Sequence, residues 1–125
     1  MIVTVFGNPD LEKDNLPVKI LPELKKIFPQ VSFAHLDPYE FDLPPSDPWI
    51  IIDTVQGLKK VSLLKPDQIN SAASRTTLHD FDLTWQLKLI QKVKKNTAIQ
   101  IIGIPMGYDK DAALKETASI LSTLL

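Results

Sequence analysis

Four side chains have the types and settings that metal or hydrolytic chemistry needs: Asp14, Asn15, Asp53 and His79. Asp53 follows the apolar run Trp49-Ile50-Ile51-Ile52, and His79 stands in a polar stretch just ahead of a helical pattern. A carboxylate at the end of a buried strand and a histidine at a helix start can together bind a metal or activate water. The chain has no cysteine, so disulfides and thiolate sites are excluded and any metal must take His, carboxylate or amide ligands. Each residue also has a plainer role open to it. Asp53 could cap a local turn, Asp14 or Asn15 could be the N-cap of the helix that follows, and His79 could donate to a loop carbonyl. His35, inside a second short strand pattern, is assigned to packing or to the surface.

Residues so far apart in sequence need a scaffold that brings loops together, and the hydropathy pattern supplies one. Residues 2–6 are a β-branched and aromatic run that stops at Gly7-Asn8-Pro9-Asp10, a strand and then a loop. Ile20, Leu24 and Ile27 recur at helical spacing, with Pro17 suited to the first turn. Pro22 would remove a backbone bond deep in that helix, so its regular part is expected to begin near Leu21. Residues 31–36 predict a second strand closed by Asp37-Pro38, and 39–48 a proline-rich loop. The run 49–52, apolar without interruption, predicts a central parallel strand ending at Asp53-Thr54. An edge strand over 60–64 and a polar loop over 66–77 come next. Leu83, Leu87 and Ile90, with Trp85, Leu89 and Val93 beside them, mark a broadly buried helix capped by Asp80 or Asp82. Residues 98–104 predict another strand, and Leu114, Ala118, Leu121 and Leu125 a last helix begun near Asp109 or Asp111.

Such alternation predicts an α/β three-layer sandwich, a mostly parallel central sheet covered by helices on both faces, with right-handed crossovers. Ligands of open α/β sheets sit beyond the carboxyl ends of the strands. Gly7-Asn8, Asp37 and Asp53 each follow a strand and His79 precedes a helix, so all could face one crevice.

At 125 residues the chain is expected to form one domain, residues 1–125. Its 14 basic residues nearly cancel 15 acidic ones, for a formal charge of -1, which argues against nucleic acid and anionic membranes as partners. No apolar run is long enough to span a bilayer. Met1-Ile2-Val3-Thr4-Val5-Phe6 lacks the pattern of a secretory signal, and a cytoplasmic location is expected. Gly7-Asn8-Pro9 has too few glycines to cradle phosphate, and neither a Walker loop nor a dinucleotide fingerprint is present.

Taken together, these positions resemble the hydrogenase maturation endopeptidase family, which trims the C-terminal extension from the large subunit of nickel-iron hydrogenase after nickel insertion. Strand one followed by Gly7-Asn8, with Asp14 just before helix one, is similar to that family's Gly-Asn signature and the acidic pair after it. Ile50-Ile51-Ile52-Asp53 looks like its apolar strand ending in an Asp ligand. Thr76-Thr77-Leu78-His79 looks like its Ser-x-x-His loop, and Ile101-Ile102-Gly103-Ile104-Pro105 like its late strand running into proline. The four motifs are short, but they come in the family's order and span nearly the whole chain.

The resemblance implies an endopeptidase that recognises metal bound in a nickel-iron hydrogenase large-subunit precursor and removes its C-terminal extension. It implies Asp53 and His79 as catalytic residues, and Asp53, His79 and either Asp14 or Asn15 as metal ligands. The metal would be nickel brought by the substrate protein, with another divalent ion as the alternative. Two departures from the family pattern carry weight. The spacing from Gly7-Asn8 to Asp14 is about one residue longer than the family's, so Asn15 can occupy the ligand position, where a neutral amide replaces an anionic oxygen. Asp37-Pro38-Tyr39-Glu40 stands where the family has a glycine-rich, substrate-recognising stretch. The competing expectation is therefore a catalytically inactive, metal- or protein-binding relative.

Overall fold

The computed structural model describes residues 2–7, 10–11, 14–35, 48–65 and 98–125. Their strands are β1 (Ile2–Val5), β2 (Ser32–His35), β3 (Trp49–Val55), β4 (Ser62–Leu64) and β5 (Ile99–Pro105). Two helices are described, α1 (Leu16–Ile27) and α2 (Lys110–Leu124). The sheet order is β2-β1-β3-β5-β4. All neighbours run parallel except β4, which pairs antiparallel with β5 at the edge. This is the mostly parallel α/β sheet that the sequence predicts. The helix expected around 83–93, the loop over 66–77, Asp37 and His79 lie outside the described residues.

The central strand owes its place to its composition. All seven residues of β3 are buried, as a strand between two parallel neighbours and covered on both faces requires. Its side chains alternate between two cores. Ile50 and Ile52 join Val3, Val5, Ile102 and Ile104 beneath α1 and α2, whereas Trp49, Ile51 and Val55 join Phe6, Ile99 and Ile101 on the other face. Each such isoleucine, fully buried, contributes on the order of 1.5–3 kcal/mol. The Trp49 indole meets its hydrogen-bonding need inside the core by donating to Thr4 Oγ1 at 2.8 Å.

Two expected boundaries move. β3 does not stop at Ile52, because pairing with β5 continues through Asp53↔Gly103, Thr54↔Ile104 and Val55↔Pro105. Asp53 and Thr54 are therefore strand residues with fixed backbones. α1 begins at Leu16, ahead of Pro22, and carries that proline inside it. Pro22 is exposed, so its ring sits on the solvent side while Ile20, Leu21 and Leu24 bury the opposite face. Packing of that face outweighs the lost bond, which costs about 3 kcal/mol. In α2 the fully buried positions are Ala113, Thr117 and Leu121, with Leu114 and Ala118 packed at the margin. Asp109 is its N-cap, accepting from the Ala112 N–H at 2.9 Å, as one of the two expected caps.

The antiparallel edge is tied to α2 by a carboxylate. Glu116 accepts from the Tyr108 hydroxyl at 2.9 Å and, more weakly, from the Val61 N–H at 3.4 Å just ahead of β4. The bond to Glu116 is the main reason the Tyr108 phenol titrates above its ordinary value of 10.0, with partial desolvation and the negative charges of Glu116 and Asp109 adding to it.

Candidate functional site

The carboxyl end of β3 gathers an unusual share of buried polarity. The buried polar side chains among the described residues are Thr4, Asp14, Asp53, Thr54 and Thr117. At this one strand end Asp14 and Asp53 each accept a hydrogen bond from Thr54. Burial of a carboxylate is unfavourable unless its oxygens are hydrogen-bonded, so each requires a local explanation.

Asp53 is held by its own strand. One carboxylate oxygen, Oδ1, accepts from the backbone N–H of Thr54 at 2.8 Å. Strand alternation places Asp53 on the face away from α1, opposite Gly103 of β5, and Thr54 on the α1 face. The Thr54 hydroxyl donates to Asp14 Oδ1. One residue thus contacts both carboxylates, Asp53 through its backbone and Asp14 through its side chain.

Asp14 reaches this position through the geometry of the loop between β1 and α1. Its N–H donates to the Leu11 carbonyl at 2.9 Å, closing a turn immediately before the helix. Gly7, at the end of β1, passes so close that a Cβ there would lie 2.9 Å from the Asp14 carbonyl oxygen and 3.3 Å from a Val18 methyl. Its φ of +156° is also one that L side chains rarely adopt. Glycine is required here by close packing of the loop.

Asn15 is the residue at the helix start. Its carbonyl accepts the first helical bond from the Lys19 N–H at 2.9 Å, but its side chain makes no capping hydrogen bond. Adjacent residues so diverge: Asp14 turns to the sheet and is 8% exposed, whereas Asn15 is half-buried at the N-cap. Asp14 and Asp53 each bond to Thr54, Asp14 to its hydroxyl and Asp53 to its N–H, while His79 lies outside the described residues. Among the described residues no group of three His, Asp or Glu side chains gathers as a complete metal site would need.

Two residues at this sheet edge were not singled out from sequence. Thr54 is one, and nothing but the contact itself could have revealed it, since a threonine in a buried strand reads as packing. The other is His35. It is exposed, as its assignment to packing or surface allowed, but its Nε2 lies 2.8 Å from the Gly7 carbonyl oxygen, linking the ends of β1 and β2. Only the parallel register of the two strands, with Val5 opposite His35, makes that contact available.

No protein-family model matches the sequence, and no curated protein matches it significantly. Solved structures do match in fold. The hydrogenase maturating endopeptidase HybD from E. coli superimposes with a TM-score of 0.69 at 16% identity, covering 98% of this chain and 93% of that one. An endopeptidase from Escherichia coli, solved in solution, gives 0.68 at 16% identity, over 99% and 94% of the two chains. An uncharacterized protein from Wolinella succinogenes gives 0.56 at 14% identity, over 99% and 98%. The chain has the fold of the hydrogenase maturating endopeptidase.

Proposed function

We propose that the protein is an endopeptidase of the hydrogenase-maturation kind, acting on a nickel-iron hydrogenase large-subunit precursor and directed to its cleavage site by the nickel that precursor carries. The observation that carries this reading is the pair of buried carboxylates, Asp14 and Asp53, joined through Thr54 at the carboxyl end of the central strand. That is where ligands of open α/β sheets bind. The fold of HybD over 98% of the chain supports it further.

The donor chemistry fits a divalent ion. Carboxylate oxygens and an imidazole nitrogen suit nickel, zinc and their neighbours, and no thiolate is available to favour a soft ion. Asp14 and Asp53 would supply oxygens, and His79 is proposed as the nitrogen ligand. When bound, the ion would polarise a carbonyl or lower the pKa of a coordinated water. The protein's own share is positional. The Thr54 N–H fixes one Asp53 oxygen and the Thr54 hydroxyl fixes one Asp14 oxygen, so neither carboxylate must be ordered when the metal-bearing substrate arrives.

The competing reading, an inactive relative, took its support from Asn15 in a ligand position. Asp14, bonded to Thr54 at the strand end, would supply the anionic oxygen that Asn15 lacks, which supports the active reading. The experiment is cleavage of a nickel-loaded large-subunit precursor by the purified protein, with Asp53→Asn and His79→Ala as companions. Removal of the C-terminal extension by wild type and not by the variants is expected. An intact precursor after incubation with wild type would leave the inactive relative standing.

A further inference from the structure

We propose that Thr54 is a positioning residue for the metal site: its hydroxyl selects Asp14, and not Asn15, as the carboxylate presented to the ion. The inference rests on the peptidase reading of the site and adds a residue with no counterpart in the motifs that suggested that reading.

Thr54 is fully buried within β3, between β1 and β5, and its backbone is held by the register that pairs it with Ile104. A β-branched side chain on such a strand has few accessible rotamers. Its hydroxyl oxygen is therefore fixed in position, on the face from which α1 approaches, with the O–H free to turn to an acceptor there. Asp14 by contrast sits in a loop, where a carboxylate could equally turn outward and cap the helix. A hydrogen bond from a buried hydroxyl to a carboxylate is charge-assisted and stronger than a neutral one. It draws Asp14 inward, and the Gly7 approach that only glycine permits leaves room for the loop to follow. Asn15, next in the chain, is left at the helix N-cap. Partners that orient a metal ligand in this way typically affect metal affinity by about 10- to 100-fold.

Nickel(II) binding to the full-length protein, followed by calorimetry beside thermal unfolding, tests this. Thr54→Val keeps the shape, removes the hydroxyl and leaves the Thr54 backbone bond to Asp53 intact. It is expected to weaken nickel binding about 10- to 100-fold in protein that is folded, with Thr54→Ser restoring most of the loss. A merely structural role would lower the unfolding temperature and leave the affinity of the folded protein unchanged. Should the valine variant fold poorly, Thr54→Ser and Thr54→Ala give the same contrast, and equal affinities for those two would overturn the proposal. Wild-type affinity in Thr54→Val together with weakened binding in Asp14→Asn would overturn the role of Thr54 while the peptidase reading survives. No nickel binding by wild type would overturn the role of Thr54, while the peptidase reading, in which the precursor brings the nickel, would still stand or fall on cleavage of the nickel-loaded precursor.

Discussion

Among the described residues, two carboxylates accept a hydrogen bond from a hydroxyl, and they do different things. Asp14 accepts from Thr54 at the buried end of the central strand. Glu116 accepts from Tyr108 on the flank of α2, in partly exposed surroundings. At the flank, water competes for both groups, the carboxylate also reaches the Val61 N–H, and the result is a brace between a helix and an edge strand. At the strand end, the carboxylate is withdrawn from water, and so is that of Asp53, the neighbour of Thr54 in β3, a costly arrangement that folding alone does not require. The same contact is architectural where solvent can replace it and points to function where solvent cannot.

The largest effect expected from breaking this contrast is on metal binding. Asp14→Asn replaces an anionic oxygen with a neutral amide and should weaken nickel(II) binding by about 100-fold, more than loss of an orienting partner does. Glu116→Gln, in the same titration, should leave it unchanged. Equal losses in both would erase the distinction. Next in size is Gly7→Ala, whose methyl would press on the Asp14 backbone at 2.9 Å. A destabilisation of about 1–3 kcal/mol is expected, read from the urea midpoint.

A smaller effect of opposite sign is expected at Thr117, whose hydroxyl is buried in the helix-side core without a partner among the described residues. Thr117→Val should stabilise the fold by about 1 kcal/mol, since it removes an unsatisfied group and keeps the shape. The effect at the brace is smallest and depends on pH. A tyrosine whose folded pKa is raised keeps its proton more readily in the folded state. Its contribution is therefore fully present below the ordinary value of 10.0 and lost as pH rises beyond that through the folded value. With Tyr39→Phe removing the second tyrosine, absorbance titration should place Tyr108 above 10.0, and Glu116→Gln should bring it back toward that value.

What could be read in the sequence is what depends on local pattern. An apolar run of β-branched residues identifies the central strand because polar side chains are costly in a strand covered on both faces, and Asp53 follows as the first polar residue of that strand. Asp109 is legible as a cap because its partner is the N–H three residues on. Asp14 and Asn15 were not separable in this way. Both are competent N-caps, and their helix propensities are close. The partners that part them, Thr54 on β3 and Gly7 just after β1, become neighbours of Asp14 only when β1, β3 and α1 pack. Pro22 is a similar case: judged locally it delays the helix, yet α1 starts ahead of it because the buried face of Leu16, Ile20 and Leu24 outweighs one missing bond. Sequence alone determined which strands form the sheet and that an aspartate follows the uninterrupted apolar run. Tertiary structure alone decided which of two adjacent polar residues reaches Thr54 beside it, because that choice depends on contacts between segments about 40 residues apart.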